Sequence, residues 1–420
     1  MTKKILSALL LAASTSSLFA LDPGVLVLKN KSSLNRENEL IVFKRSILAS
    51  KIKNLQENDY LTFSIKGNTV PAQFDDVDGD GKWDEAVLIL SFAPKESIKV
   101  QMQTSKSLPQ NPQPVFAHVR QMHKNADQTF GPLVLKDTMP FNNPPTDFSK
   151  VVLPPYLTEG PAWENDKVAF RLYFDARNCK DIYGKRIGGM VMDTVGANPK
   201  NSYHNFSNWG MDILRVGKSL GAGALAIRTK TTLNADTLIR VGGSMIKSET
   251  FRVISDGPLR AMFDMTYSCV INNKPFTVTE RTSIWKGQYF YQSNLSISGL
   301  SATDELVTGM ADFYENNAES LKSNNQNIYY SYGAQSENKD KLALAVSVSN
   351  NSHTSMTNAN SLRSEIKDTW LVSQPVNNGQ LSFRFYALWE KTDAAFASKE
   401  GVRNYFNNEL ELMANPVEIK

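Results

Sequence analysis

Cysteine and histidine are scarce in this sequence. Among 420 residues there are two cysteines, Cys179 and Cys269, and four histidines. No Cys-x-x-Cys pair occurs, which excludes the usual structural zinc sites. In an oxidising compartment the two cysteines have two alternatives, one disulfide or two buried free thiols, and the sequence leaves both open.

Excess charge and long apolar runs are also missing. Lys and Arg total 46 against 42 Asp and Glu, a net charge of +4. This balance gives no electrostatic reason to expect nucleic acid or an anionic membrane as a partner. Beyond residue 20 no apolar stretch approaches the roughly 20 residues of a transmembrane segment. Gly217-Lys218-Ser219 lacks the upstream Gly of a phosphate-binding loop, so no nucleotide cofactor is expected.

Residues 1–20 have the pattern of a secretory signal peptide. Lys3 and Lys4 precede an apolar stretch, and a short polar patch leads to Ala20. The charged start and the short apolar stretch are typical of an exported, cleaved peptide. We therefore expect cleavage after Ala20 and a periplasmic or secreted mature protein. The alternative is a buried N-terminal helix.

Strand-like segments dominate the chain, which predicts a mainly β protein. Residues 21–105 contain short β-rich runs separated by turn residues, as in a small β-sandwich. Residues 106–165 are rich in Pro and Asn, which is typical of a connector or of a loop that covers a binding site. Residues 166–420 show strand after strand, which predicts a large antiparallel β domain. One helix is predicted near its end, over residues 399–414.

An acidic loop lies inside the predicted N-terminal sandwich. It presents carboxylates at Asp76, Asp78, Asp80 and Asp84, with glycines that let the loop fold back. Alternating carboxylates of this kind suit a hard cation such as Ca²⁺. Val87 stands where an EF-hand loop has its bidentate Glu, so a structural Ca²⁺ site and a solvated acidic turn are both open.

Charged and aromatic residues cluster at a predicted boundary between a loop and a strand: Glu159, Trp163, Glu164, Arg171 and Tyr173. A Trp ring offers a flat apolar face to a sugar ring, while carboxylates and Arg bind hydroxyls or a uronate. The cluster therefore predicts sugar binding. The alternative is that Trp163 is a core residue and that the charges are solvated.

A second candidate cluster lies in a loop rich in Asn, Ser and Gly. It contains Tyr203, His204, Trp209 and Asp212. Reactive side chains are often presented by loops, and His204 is the best candidate for proton transfer. An ordinary hydrogen-bonding role is the alternative for His204. Among the other histidines, His118 and His123 come second, and His353 is expected to face solvent.

Several of these stretches resemble a secreted family of uncharacterised function: Glu159 to Glu164, Arg171 to Asp175, Tyr203-His204, Trp209 to Asp212 and Val216 to Gly223. That family occurs in polysaccharide-degrading bacteria, often beside or fused to unsaturated glucuronyl or rhamnogalacturonyl hydrolases. The resemblance implies a role in polysaccharide degradation, with a poly- or oligosaccharide as the partner. Asp256 to Tyr267 is also similar to strands of the galactose-mutarotase-like supersandwich, which implies a supersandwich-like large domain with a sugar site on its concave sheet.

These observations together favour a polysaccharide lyase acting on a uronate-containing glycan. Elimination needs a base, an acid and a group that stabilises the carboxylate. The expected base and acid are His204 and Tyr203, with Glu164 as a further catalytic candidate and Arg171 at the carboxylate. The expected substrate-binding residues are Trp163, Trp209, Glu159, Asp212 and Tyr173. The alternatives are a glycoside hydrolase with a carboxylate pair among Glu159, Glu164, Asp212 and Glu280, a non-catalytic glycan-binding protein, and a mutarotase.

Overall fold

The computed structural model describes residues 24–52, 55–110, 113–230, 235–314, 316–350, 354–376 and 378–420. The predicted signal peptide and His353 lie outside these ranges. Within them the chain is mainly antiparallel β-sheet with a C-terminal helix, as the sequence predicts. None of the described helices is long and apolar enough to cross a membrane.

The first part of the chain forms two small facing sheets, called here the N-terminal sandwich. Its elements are β1 (Gly24–Lys29), β2 (Arg36–Lys44), α1 (Arg45–Lys51), β3 (Tyr60–Ile65), β4 (Asn68–Val70), β5 (Gln73–Asp75), β6 (Glu85–Phe92) and β7 (Ser97–Ser105). One sheet has the order β1-β7-β3-β4 and the other β2-β6-β5. Apolar residues at alternate positions of both sheets, such as Leu26, Phe63 and Leu88, form a core of their own.

The rest of the chain is a larger assembly of strands. Its elements are β8 (Ala117–Arg120), β9 (Lys136–Met139), β10 (Ala162–Asn165), β11 (Val168–Leu172), β12 (Lys180–Lys185), β13 (Gly210–Asp212), β14 (Ala226–Lys230), β15 (Asp236–Arg240), β16 (Ile246–Asp256), β17 (Arg260–Ile271), β18 (Lys274–Trp285), β19 (Phe290–Ser298), β20 (Glu305–Ala311), β21 (Ala318–Lys322), β22 (Gln326–Gly333), β23 (Leu342–Ser349), β24 (Ser355–Asn358), β25 (Thr369–Pro375), β26 (Gln380–Trp389), α2 (Lys399–Ala414) and β27 (Glu418–Ile419). The last strand, β27, returns to pair with β1 of the N-terminal sandwich.

Three sheets form the larger assembly in the described part of the chain. The large sheet has the order β21-β22-β23-β26-β19-β18-β17-β16-β9, the front sheet β13-β12-β11-β10-β8 and the side sheet β15-β14-β20-β25-β24. One face of the large sheet packs against the front and side sheets around a common apolar core, which includes Trp163, Phe170 and Tyr291. A buried ion pair, Lys180 Nζ to Glu280 Oε1 at 2.5 Å, joins the front and large sheets.

The other face of the large sheet is covered by two elements. Helix α2 packs its apolar side, including Val402 and Phe406, against this face. The N-terminal sandwich is joined to it by Arg260, whose guanidinium forms ion pairs with Asp75 and Glu85. The large sheet is therefore the central layer of the molecule.

Two features differ from, or complete, the sequence prediction. Residues 106–165 contribute β8 and β10 to the front sheet and β9 to the large sheet, so this stretch is more than a connector. Each of these strands has four residues and lies between polar or Pro-rich stretches, which leaves too few positions for a visible alternation. Cys179 and Cys269 are both buried free thiols, the second of the two alternatives.

Candidate functional site

The outer face of the front sheet is unusually polar. In its register Arg171 lies opposite Ala162 and Asp181, and Tyr183 lies opposite Asp212. Because side chains alternate along a strand, these residues point away from the apolar core, while their neighbours point into it. The face is nevertheless largely removed from solvent: Arg171, Asp181, Tyr183 and Asp212 are all buried.

Residues 186–209, called here the covering segment, lie over this polar face. The Glu164 carboxylate accepts hydrogen bonds from the backbone N–H groups of Val191 and Met192 at 2.8 and 2.7 Å. The Arg120 guanidinium donates to the Met192 carbonyl oxygen at 3.0 Å. His118 adds a contact to Asp193 at 2.8 Å. The start of the segment is thus fixed to the sheet, and its later part carries Tyr203 and His204.

Arg171 is the centre of the hydrogen-bond network under the covering segment. Its guanidinium donates to Asp181 at 2.7 Å, to Asp212 at 3.3 Å and to the Tyr203 hydroxyl at 3.2 Å. It is 1% exposed, and its guanidinium is paired with the Asp181 carboxylate. This burial corrects the prediction that Arg171 contacts a substrate carboxylate, because it orients Tyr203 and Asp212 instead.

His204 is the exposed member of the network. Its Nδ1 lies 3.6 Å from the Asp212 carboxylate, while its side chain is 63% exposed. Partial burial, followed by the positive charge of Arg171, lowers the pKa of His204 below its usual value of 6.5. Burial, reinforced by the neighbouring Asp181, raises the pKa of the Asp212 carboxyl well above its usual range. The imidazole is therefore neutral at neutral pH and available to accept a proton.

Tyr203 lies beside His204, with 4.5 Å between the two ring centroids. Its hydroxyl oxygen accepts from Arg171, which leaves its own O–H free to donate. Burial raises the pKa of Tyr203 above its usual value, so the phenol keeps its proton. A neutral base and a protonated acid thus stand side by side.

Glu159 and Tyr173 belong to the same network at a greater depth. The Tyr173 hydroxyl donates to Asp181 at 3.0 Å, and Glu159 forms an ion pair with Arg177 at 2.6 Å. Both residues are buried. The structure therefore brings Glu159 and Tyr173 close to the other predicted site residues, as supports beneath them.

Two further predicted site residues are placed where no ligand reaches them. Trp163 is 1% exposed because its position in the strand faces the core, where its ring stacks on Phe170. Glu164 is fully buried and pairs with Lys185 Nζ at 2.6 Å. These placements correct the predictions of a stacking ring at Trp163 and a catalytic carboxylate at Glu164.

A cleft of about 730 Å³ opens within the covering segment, which supplies its lining residues. Its walls include Tyr203, Trp209, Asn198, Asn205 and Lys200. Trp209 is half-buried and keeps part of its ring accessible, as the sugar-binding prediction requires. Asn198, Asn205 and Lys200 were not singled out from the sequence, although they occupy the same Asn-rich stretch as Tyr203.

Glu337 is a further residue that sequence reasoning missed. Its backbone N–H donates to the Ile213 carbonyl oxygen at 3.0 Å, which places it next to Asp212. Its side chain is exposed and accepts a hydrogen bond from Tyr314. More than 120 residues separate Glu337 from the Tyr203 cluster along the chain, so no local pattern connects them.

The remaining candidates lie elsewhere. Burial opposes protonation of His118, but hydrogen bonds to Asp193 and Asp256 outweigh it and raise its pKa to about 10. His123 contacts Asp137 at 2.6 Å and does not line the cleft. Glu280 is buried in its ion pair with Lys180.

In the acidic loop, carboxylate oxygens of Asp76, Asp78 and Asp84 lie within 4.8 Å of one another. Asp80 is not part of this group, and its carboxylate accepts from the Lys82 backbone N–H at 2.8 Å. Three converging carboxylates fit the ligand chemistry of a hard cation. A structural Ca²⁺ ion at this loop stays a prediction.

Comparisons with known proteins complete the description. The chain is 26% identical over 185 residues to the uncharacterized protein P7 of Formosa agariphila, a match that covers 39% of this chain and 43% of that protein. The chain thus spans less than half of the length of this curated relative.

Two solved structures from Enterococcus faecalis align with 95% of this chain: an alpha-mannosidase and a glycosyl hydrolase family 38 protein. The alignments cover 46% and 47% of those chains, and each has 9% identity and a TM-score of 0.43. TM-scores this low assign neither fold nor activity. The family described as a domain of unknown function, DUF4861, matches residues 28–419, and the chain belongs to that family.

Proposed function

We propose that the protein is an exported carbohydrate-active enzyme that cleaves a uronate-containing glycan by β-elimination. The observation that carries this proposal is the pairing of Tyr203, which lines an open cleft, with the exposed His204 beside it. One is a phenol that keeps its proton and the other an accessible imidazole that is neutral at neutral pH. Together they meet the need of an elimination for one base and one acid.

In the proposed reaction His204 removes the proton from C5 of the uronate. The electron pair of that C–H bond forms the double bond between C4 and C5, and the bond from C4 to the leaving oxygen breaks. Tyr203 donates its proton to that oxygen. The Asp212 carboxyl, 3.6 Å from His204 Nδ1, orients the imidazole, and Arg171 orients both Asp212 and Tyr203.

The negative charge that develops on the uronate carboxylate needs a partner in the cleft. Arg171 is buried, so this role passes to Lys200 and to the side-chain amides of Asn198 and Asn205, which line the cleft. Trp209 offers a ring face on which a sugar can stack. This arrangement supports a negatively charged sugar over a neutral one.

The lyase is preferred to a hydrolase because the carboxylates first considered for hydrolysis are buried. Glu164 and Glu280 are neutralised by lysines, while Glu159 and Asp212 are tied to arginines.

One observation favours a hydrolase as the second candidate. Glu337 is an exposed carboxylate next to Asp212 and offers the accessible group that such chemistry requires.

The test is incubation of the purified protein with polygalacturonate, rhamnogalacturonan, alginate and hyaluronan. We expect ultraviolet absorbance from an unsaturated product with at least one of them. His204→Ala and Tyr203→Phe should each lower kcat by about 10²–10⁴-fold, the usual loss for a missing acid or base. The matched controls are His123→Ala and Tyr60→Phe, which lie outside the cleft and should keep wild-type rates.

Other outcomes would point to other functions. New reducing ends without ultraviolet absorbance, lost in Glu337→Gln, would replace the lyase by the hydrolase. Saturable sugar binding without any product would indicate a glycan-binding protein. Absence of both products and binding across the panel would overturn the proposal.

A further inference from the structure

A second cleft, of about 580 Å³, lies on the opposite side of the molecule from the Tyr203 cleft. Its floor is the outer face of the large sheet, where Arg281, Gln292, Asn294 and Arg384 alternate with residues that point into the core. The N-terminal sandwich forms one wall and the end of α2 the other, so the cleft exists only because these parts meet over the sheet. Its volume is that of a ligand pocket.

The charges of this cleft are paired and still accessible. Arg281 donates to both oxygens of Asp264, at 2.8 and 2.9 Å, and its side chain is 29% exposed. Arg384 donates to the Gln292 side-chain oxygen at 3.1 Å and forms an ion pair with Glu409 at 3.4 Å, and it is 26% exposed. Both guanidinium groups are thus fixed by a carboxylate on one side and face the cleft on the other.

The balance of charge indicates the chemistry of the ligand. An anion entering the cleft would meet the carboxylates of Glu39, Glu85 and Glu409, whereas a cation would meet the arginines. A sugar hydroxyl donates and accepts at once, so it can bridge a guanidinium and a carboxylate without leaving either charge unpaired. Neutral hydrogen-bonding side chains continue the lining between the charged pairs: Ser283, Gln288, Gln292, Asn294, Gln326 and Ser382.

We propose that this cleft is a second, non-catalytic binding site for a short neutral oligosaccharide. It goes beyond the reaction proposed for His204, since it lies on another sheet and shares no residue with the Tyr203 cleft. Such a site would bind a neutral part of a glycan while the front sheet acts on a uronate.

The experiment measures binding and needs no activity. Neutral trisaccharides of glucose, galactose, mannose and xylose, with trigalacturonate as the charged comparison, are titrated by calorimetry into the His204→Ala protein. We expect at least one neutral trisaccharide to bind. Because that protein lacks the proposed catalytic base, failure of the lyase proposal leaves this result unchanged.

Two substitutions locate the binding. Asn294→Ala and Arg384→Met, each in the His204→Ala background, should weaken the affinity about tenfold, the effect expected from losing one hydrogen bond to a charged or well-placed group. Asn68→Ala, an exposed asparagine of β4, is the matched control and should bind normally. Thermal unfolding of each variant checks that it is folded.

Three results would overturn the proposal. In the first, none of the neutral sugars binds. In the second, the neutral sugars bind equally well to Asn294→Ala and Arg384→Met. In the third, only trigalacturonate binds and its affinity falls in Asn294→Ala and Arg384→Met, which would make the cleft a site for anions.

Discussion

At the scale of single residues, Glu249 shows how burial alone can set a protonation state. Its side chain is fully buried, and neither carboxylate oxygen has a hydrogen-bond partner in the described part of the chain. Burial, with a smaller contribution from Asp175, raises its pKa well above the usual value of 4.5. Glu249 is therefore a neutral acid in the folded protein, whereas it ionises in the unfolded chain.

This difference predicts a pH-dependent stability. Because the pKa of Glu249 is raised in the folded protein, its contribution to the free energy of unfolding is fully present below pH 4.5. This contribution is lost as the pH rises towards the folded pKa. Glu249→Gln removes the titration, so its free energy of unfolding should fall less between pH 5 and pH 8 than that of the wild type. Urea unfolding at both pH values measures this. Glu37→Gln, at an exposed position, is the control, and an identical pH slope in Glu249→Gln would refute the prediction.

The sequence could predict the members of the candidate site better than their accessibility. Tyr203, His204 and Asp212 lie within ten residues of one another along the chain, so their proximity in space follows from the chain itself. Arg171 and Trp163 were recognised as residue types suited to sugars, but both turned out buried. The covering segment lies over Arg171, and the large sheet packs over Trp163. No local sequence pattern predicts either contact.

At the scale of elements, one buried ion pair helps to anchor the covering segment. Glu164 neutralises Lys185 and accepts the backbone N–H groups of Val191 and Met192. Glu164→Gln leaves a buried lysine without its carboxylate, which should lower the free energy of unfolding by about 3–5 kcal/mol. It should also speed hydrogen exchange in the covering segment.

Exchange measured by mass spectrometry, together with urea unfolding, tests this prediction. The control is Glu319→Gln, which removes an exposed ion pair with Lys399 and should cost below about 1 kcal/mol. Unchanged exchange in residues 190–206 of Glu164→Gln would show that the segment does not depend on this anchor.

The acidic loop of the N-terminal sandwich supports a prediction about metal. If Ca²⁺ joins the carboxylates of Asp76, Asp78 and Asp84, millimolar Ca²⁺ should raise the thermal unfolding temperature relative to a chelator, since binding to the folded state alone stabilises it. Asp78→Asn should abolish this shift, whereas Asp127→Asn, in another exposed turn, should retain it. A shift that survives in Asp78→Asn would place the metal elsewhere.

Elements with enough residues to show a period were predictable. The helix over residues 399–414 and strands such as β3 and β17 are found where the alternation or the helical spacing predicts them. The four-residue strands β8, β9 and β10 could not be predicted, because they have no local periodicity. They are strands because they form hydrogen bonds with neighbouring strands. The covering segment has no regular structure and could be recognised only as a loop.

At the scale of the whole molecule, the parts of the chain are joined by buried polar contacts. Arg260 of the large sheet forms ion pairs with Asp75 and Glu85 of the N-terminal sandwich, and Gln73 donates to the Arg260 carbonyl oxygen at 2.7 Å. Strand β27, at the end of the chain, pairs with β1 at its beginning. These contacts link two separate apolar cores. The sequence predicts the N-terminal sandwich and the large β domain as separate segments, but it does not predict the contacts that join them.

The junction predicts how the molecule unfolds. Arg260→Ala leaves Asp75 buried without its guanidinium, and such a loss typically costs about 3–5 kcal/mol. Because the N-terminal sandwich has its own apolar core, we expect the cost to fall on the junction, so that this sandwich melts before the larger assembly. Differential scanning calorimetry should then show two transitions in Arg260→Ala.

Arg228→Ala, which removes a more exposed ion pair with Glu305, should unfold like the wild type. A single transition at the wild-type temperature in Arg260→Ala would mean that β27 and the apolar contacts suffice to join the two parts.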